Sequence, residues 1–98
     1  MATTTVTISM VGNSIDVTPY APVLKKTRKD KVKWQGKPAN LNFVVCFGHR
    51  TPFKFRHFHK NRPNSGAILI NPAGPEEYFK YSVEIGNIVL DPGIIIQR

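Results

Sequence analysis

Cys46-Phe47-Gly48-His49 sets a thiol and an imidazole three residues apart, and His57 and His59 follow at a spacing of two. A Cys-x-x-His pair, or two histidines on one strand face with His49 as a third ligand, could hold Zn²⁺, Cu²⁺ or Ni²⁺. The surroundings argue against both. Cys46 falls in the most apolar stretch of the chain, Leu41 to Phe47, where a buried thiol behaves as a small hydrophobe. Arg50, Arg56 and Lys60 stand beside the histidines and repel a divalent cation, and no carboxylate is near to orient the rings. The ordinary reading is a core cysteine beside a loop histidine, with no metal or cofactor expected. A histidine-based metal site on His49, His57 and His59 is the alternative.

Catalytic constellations are scarce. The acids are Asp16, Asp30, Glu76, Glu77, Glu84 and Asp91, scattered apart from the adjacent glutamates. No serine sits in a nucleophile motif and no glycine-rich loop precedes a helix. An enzyme is therefore not expected. The cations are the better lead. The net charge is +8, and twelve of the fourteen lysines and arginines lie between residues 25 and 62, with Asp30 the one acid there.

They form two basic segments, 25–37 and 50–62, on either side of the apolar stretch. Lys25, Lys26, Arg28 and Lys29 of the first, and Arg50, Lys54, Arg56, Lys60 and Arg62 of the second, are the candidate anion- or partner-binding residues. Phe53, Phe55 and Phe58 interleave with the second set, which resembles the stacking-plus-phosphate pattern of single-strand binders. Against this stands a solvated face: lysines at turns and edge strands prevent edge-to-edge pairing, and the phenylalanines can plug one end of a core.

Ninety-eight residues make one domain, 1–98, large enough to bury roughly 65% of its unfolded surface. The single cysteine excludes an intrachain disulfide. The longest apolar runs are three to five residues, too short to span a membrane. MATTTVTISM lacks the charged start and apolar core of a signal peptide, so a cytoplasmic location is expected if residue 1 is the native start.

The elements that would position these residues read as strands. Thr4 to Met10 alternates threonine or serine with Val6, Ile8 and Met10. Gly12-Asn13 turns the chain into a second strand at Ile15 and Val17, and a short piece at Val23-Leu24 rejoins a sheet. After a charged turn, Lys31 to Trp34 points Val32 and Trp34 inward, with Gly36 and Pro38 ending that strand. Leu41 to Phe47 is a central strand expected to be covered on both faces. Thr51-Pro52 has the form of a helix start, so one or two helical turns are expected within a long loop around residues 48–65. Read instead as a strand, that piece puts Phe53, Phe55, His57 and His59 on one face. Ala67 to Ile70 reads as a strand, and Tyr78 to Gln97 as a closing pair of strands in the middle of a sheet. Phe79, Tyr81, Val83 and Ile85 lie on its inner side.

An N-terminal VTI strand, a charged turn into KVKW, Phe43-Val44-Val45-Cys46-Phe47, the loop at Pro52-Phe53 and a closing YFKYSV…LDPGIII come in that order. Over roughly residues 4 to 97 this resembles small uncharacterised bacterial cupredoxin-like β-sandwich proteins lacking the copper ligands. The resemblance implies an all-β fold: an antiparallel cupredoxin-like (Greek-key) sandwich of seven to eight strands. Copper-binding cupredoxins hold the metal through two histidines, a cysteine and usually a methionine. Three of these lie close together near the last two strands, where this chain has Tyr81 to Pro92 with none of those residue types. No copper ligand is carried over. What remains is a non-catalytic binding module whose partner is an unknown protein or a polyanion, nucleic acid among them.

Overall fold

The computed structural model describes residues 2–98. Met1, counted in the single domain expected above, lies outside the described residues. Alternating β-branched residues build β1 (Thr3–Val11) and β2 (Ser14–Thr18), with Val6, Ile8, Ile15 and Val17 turned into the core. Gly12 has φ +61° and Asn13 a negative φ, the glycine-first pattern of a two-residue type II′ hairpin turn. β3 (Val23–Lys25) and a 3₁₀ turn (Lys26–Arg28) lead into β4 (Lys31–Lys37). β4 runs parallel to β1, in register from Thr3 opposite Lys31 to Ser9 opposite Lys37. The first sheet is thus β2-β1-β4.

The remaining strands are β5 (Val44–Cys46), β6 (His57–His59), β7 (Glu76–Lys80), β8 (Ser82–Ile85), β9 (Ile88–Leu90) and β10 (Gly93–Gln97). They form the sheets β3-β10-β7 and β6-β5-β8-β9. The closing stretch is one long hairpin serving both. Its register never slips: Ile85 faces Ile88, Val83 faces Leu90, and Lys80 faces Gly93. The Tyr81 N–H donates to the Pro92 carbonyl at 3.0 Å where the two halves meet. Below Tyr81 the hairpin accepts β3 alongside β10; above it, β5 alongside β8.

A seam joins the first sheet to the third. Residues 62–65 lie along the free edge of β4, with Lys33 opposite Asn64. The Trp34 N–H donates to Pro63 O at 2.9 Å and the Ser65 N–H to Val32 O at 2.8 Å. The same segment turns back on β6 through His59 and Arg62. On the far side β2 and β9 approach each other, so the strands nearly encircle one core. At its centre Trp34 stacks on Phe58, centroids 4.7 Å apart, and meets Phe47, Phe53 and Tyr81 edge-on.

Several expectations are corrected. The chain is all-β, but the sheets β2-β1-β4 and β3-β10-β7 are mixed, because β1–β4 and β3–β10 pair parallel, while β6-β5-β8-β9 is antiparallel as expected. Residues 12–30 between β1 and β4 give the long crossover that parallel pairing requires. The described residues form ten strands rather than seven or eight, since the closing stretch is divided between two sheets. No helix forms at 48–65. Thr51 Oγ1 does accept the Phe53 N–H at 3.2 Å, but the Phe47 N–H donates to Arg56 O at 2.7 Å and draws residues 57–59 into the ladder beside β5. The alternative strand reading holds only for His57 and His59, which share one face of β6; Phe53 and Phe55 precede the strand, the first buried and the second exposed. Ala67 to Ile70 is not a strand. β4 runs through Gly36 to Lys37, and the missing side chain at Gly36 lets Leu41 pack against the backbone. The second face of β5 is covered only in part: Val44 is 40% exposed, while Cys46 is half-buried.

Candidate functional site

The parallel pairing of β3 with β10 brings Lys25 beside Gln97, and therefore the chain end at Arg98 beside the 3₁₀ turn. A groove of about 630 Å³ opens there between Lys26, Thr27, Lys29, Asn71, Pro72 and Arg98. A second, of about 430 Å³, lies between Lys26, Lys29, Lys31, Ala67 and Ile68. Lys26 and Lys29 are common to both, so they form a ridge between two depressions that together are lined by four cationic and no acidic side chains. The Lys26 ammonium donates to Asn71 Oδ1 at 2.7 Å, which fixes its position.

Two local features shape this end. Lys29 closes the 3₁₀ turn in the left-handed conformation, φ 58°, its N–H donating to Lys26 O at 2.9 Å. A lysine here carries steric strain that glycine would not. Asp30 is buried behind the turn. It accepts the Lys25 N–H and the Arg28 guanidinium, each at 2.9 Å. The Lys25 N–H holds its carboxyl below the usual carboxylate range, burial opposes this, and Arg28 adds to the lowering. The one acid of the basic segments is thus turned inward and neutralised, leaving the outer lysines without a counter-charge from it.

The other residues singled out from sequence are dispersed. Arg28 is engaged by Asp30. Arg50 pairs with Glu77 at 2.6 Å and lies over the Phe79 ring. Arg50 and His49 line a groove with Cys46, Tyr78, Lys80 and Asp91. Lys60 and His59 line another with Val44, Asn61 and Glu84. Lys54 and Arg62 both lie over the ring of Phe55, Arg62 at 4.4 Å. Phe55 is 42% exposed, while Phe53 and Phe58 belong to the core. Arg56 is exposed, and Lys25 lies half-buried beside the groove of Glu76 and Arg98.

The histidines are not brought together: His57 and His59 share β6, while His49 lies in the groove with Cys46. Among the described residues no three His, Cys, Asp or Glu side chains gather as a metal-binding group. Sequence reasoning omitted Lys31, Thr27, Asn71 and Arg98 from the site. Lys31 was legible in the charge run; Asn71 and Arg98 reach it only through long-range pairing. Comparison with protein-family models, curated proteins and solved structures returned no match.

Proposed function

We propose that this protein is a non-catalytic binding module on a cupredoxin-like β-sandwich scaffold without a type 1 copper site, and that its partner is a polyanion. Support for the scaffold is the all-β architecture around one core, together with the resemblance carried by the VTI, KVKW and closing-hairpin motifs. The hairpin segment Tyr81 to Pro92 offers neither thiolate, imidazole nor thioether, the donors copper would need. The observation that carries the binding reading is the ridge of Lys26 and Lys29, with Lys31 on one side and Arg98 on the other. Four cations facing two joined grooves suit a ligand with several negative charges better than a single ion.

The test is titration with inorganic polyphosphate across a salt series. Affinity is expected to fall steeply as salt rises, because binding releases counterions. Replacing Lys26, Lys29 and Arg98 together by alanine is expected to weaken binding at least about 10-fold, on the scale of three lost charge contacts. Absence of binding at physiological salt, or unchanged affinity in the triple variant, overturns the proposal.

A further inference from the structure

The outer face of the first sheet continues the basic ridge in an ordered way. On β1 the outward residues are Thr3, Thr5, Thr7 and Ser9; on β4 they are Lys31, Lys33, Gln35 and Lys37. Parallel register sets them side by side, Thr3 with Lys31, Thr5 with Lys33, Thr7 with Gln35 and Ser9 with Lys37. Every second residue of a strand repeats at about 6.6 Å, and the neighbouring strand lies about 4.8 Å away. The result is a row of hydroxyl donors beside a row dominated by ammonium groups, with no acid in either. The ion pairs among the described residues are Arg28–Asp30, Arg50–Glu77 and Lys80–Asp91, so none of them neutralises a lysine of β4.

The seam along β4 adds an aromatic group. Lys33 faces Asn64, and Arg62, two residues earlier on the same segment, turns to His59 of β6. Arg62 lies over the ring of Phe55 and donates to the His57 carbonyl at 2.9 Å. A guanidinium from the segment that borders β4 thus lies over a half-exposed phenylalanine. Hydroxyls and ammonium groups recognise phosphate oxygens, while an aromatic ring or a guanidinium plane receives a nucleobase.

We infer that the outer face of β1 and β4 is a track for single-stranded nucleic acid. Its phosphates lie over Thr5, Lys33 and Lys37 and a base stacks on the Phe55–Arg62 pair. The strand enters from the ridge at Lys26 and Lys29 by way of Lys31, which borders both surfaces, so the inference rests on the polyanion reading and extends it. A flat row of donors suits an extended single strand, whose bases stay free to stack. A stacked duplex would leave Phe55 without a partner.

The experiment compares fluorescein-labelled oligothymidylate of twenty nucleotides, an abasic strand of the same length, duplex DNA and inorganic polyphosphate. The variants are Lys33→Ala/Lys37→Ala and Phe55→Leu. All three side chains point outward, and Trp34 emission checks that the core is intact. The double lysine variant is expected to weaken oligothymidylate binding and to reduce the log–log salt slope by about 1.4, two contacts' worth on a single strand. Phe55→Leu is expected to weaken oligothymidylate roughly 5- to 150-fold, the range for one lost stack, and to leave the abasic strand unaffected.

An unchanged slope in the lysine variant, equal losses on both strands in the Phe55 variant, or preference for the duplex overturns the inference. If polyphosphate binds through Lys26, Lys29 and Arg98 while oligothymidylate does not bind, the track is wrong and the polyanion reading survives. If neither probe binds, both fall.

Discussion

Lys29 occupies a backbone conformation in which L side chains are strained and glycine is not. Such positions persist where the surrounding structure fixes them, and they cluster at functional surfaces. Here the strained residue carries one of the two ammonium groups shared by both grooves. Lys29→Gly relieves left-handed strain of about 1 kcal/mol and gives back part of that gain through the freer unfolded chain. Its denaturation midpoint is therefore expected to hold or rise, while polyphosphate affinity falls. Chemical denaturation and a titration on the same preparation check this. A lysine kept only for the fold would lose stability on replacement. The charge of this residue was visible in the run KKTRKDK; its conformation was not, because nothing local marks a lysine for the left-handed region. Phe53, Phe55 and Phe58 teach the same lesson, since three similar residues at short spacing divide into two core side chains and one surface ring.

At the level of elements, Tyr81 marks the place where a single strand changes partners. Its side chain is buried against Trp34, and neither its hydroxyl nor the Trp34 indole N–H makes a hydrogen bond of ordinary geometry. Burial pushes the Tyr81 hydroxyl up to about 12, against the opposing pull of the indole N–H. Because the folded state holds this proton more tightly than the unfolded chain, the associated stability is complete below pH 10. It is lost as pH rises from there toward 12. Tyr81→Phe removes that loss. Relative to the variant, the parent protein is expected to give up about 1.4 kcal/mol between pH 7 and pH 11, measured by denaturation of both at each pH. The alternation that buries Phe79, Tyr81 and Val83 was legible in sequence, and so were the hairpin turns, β3 and the inward side of β4. What escaped depended on distant partners. The ladder with β5 overrides the helix signal of Thr51-Pro52, and the parallel pairings join strands whose sequences carry no mark of direction. The basic ridge was legible as charge on residues 26 to 31, while Asn71 and Arg98 came to it through β10.

For the whole molecule, a charge of +8 on ninety-eight residues repels itself in the compact state. A bound polyanion opposes that repulsion and stabilises by mass action. At a free polyphosphate concentration of 100 times Kd the gain is about 2.7 kcal/mol, a rise in Tm of roughly 10 to 20 °C for a domain of this size. The Lys26, Lys29 and Arg98 triple variant should show little of it in a thermal melt. The position of β10 has a consequence of another kind. It is the middle strand of its sheet, yet it is made after both of its neighbours, β3 and β7. On a ribosome adding about 5–20 residues per second, each waits for a partner not yet synthesised. A nascent chain halted before Gly93 therefore presents two open strand edges, the kind of surface on which chains join one another. Addition of β10 closes both edges, whereas collapse of the first sheet leaves them open.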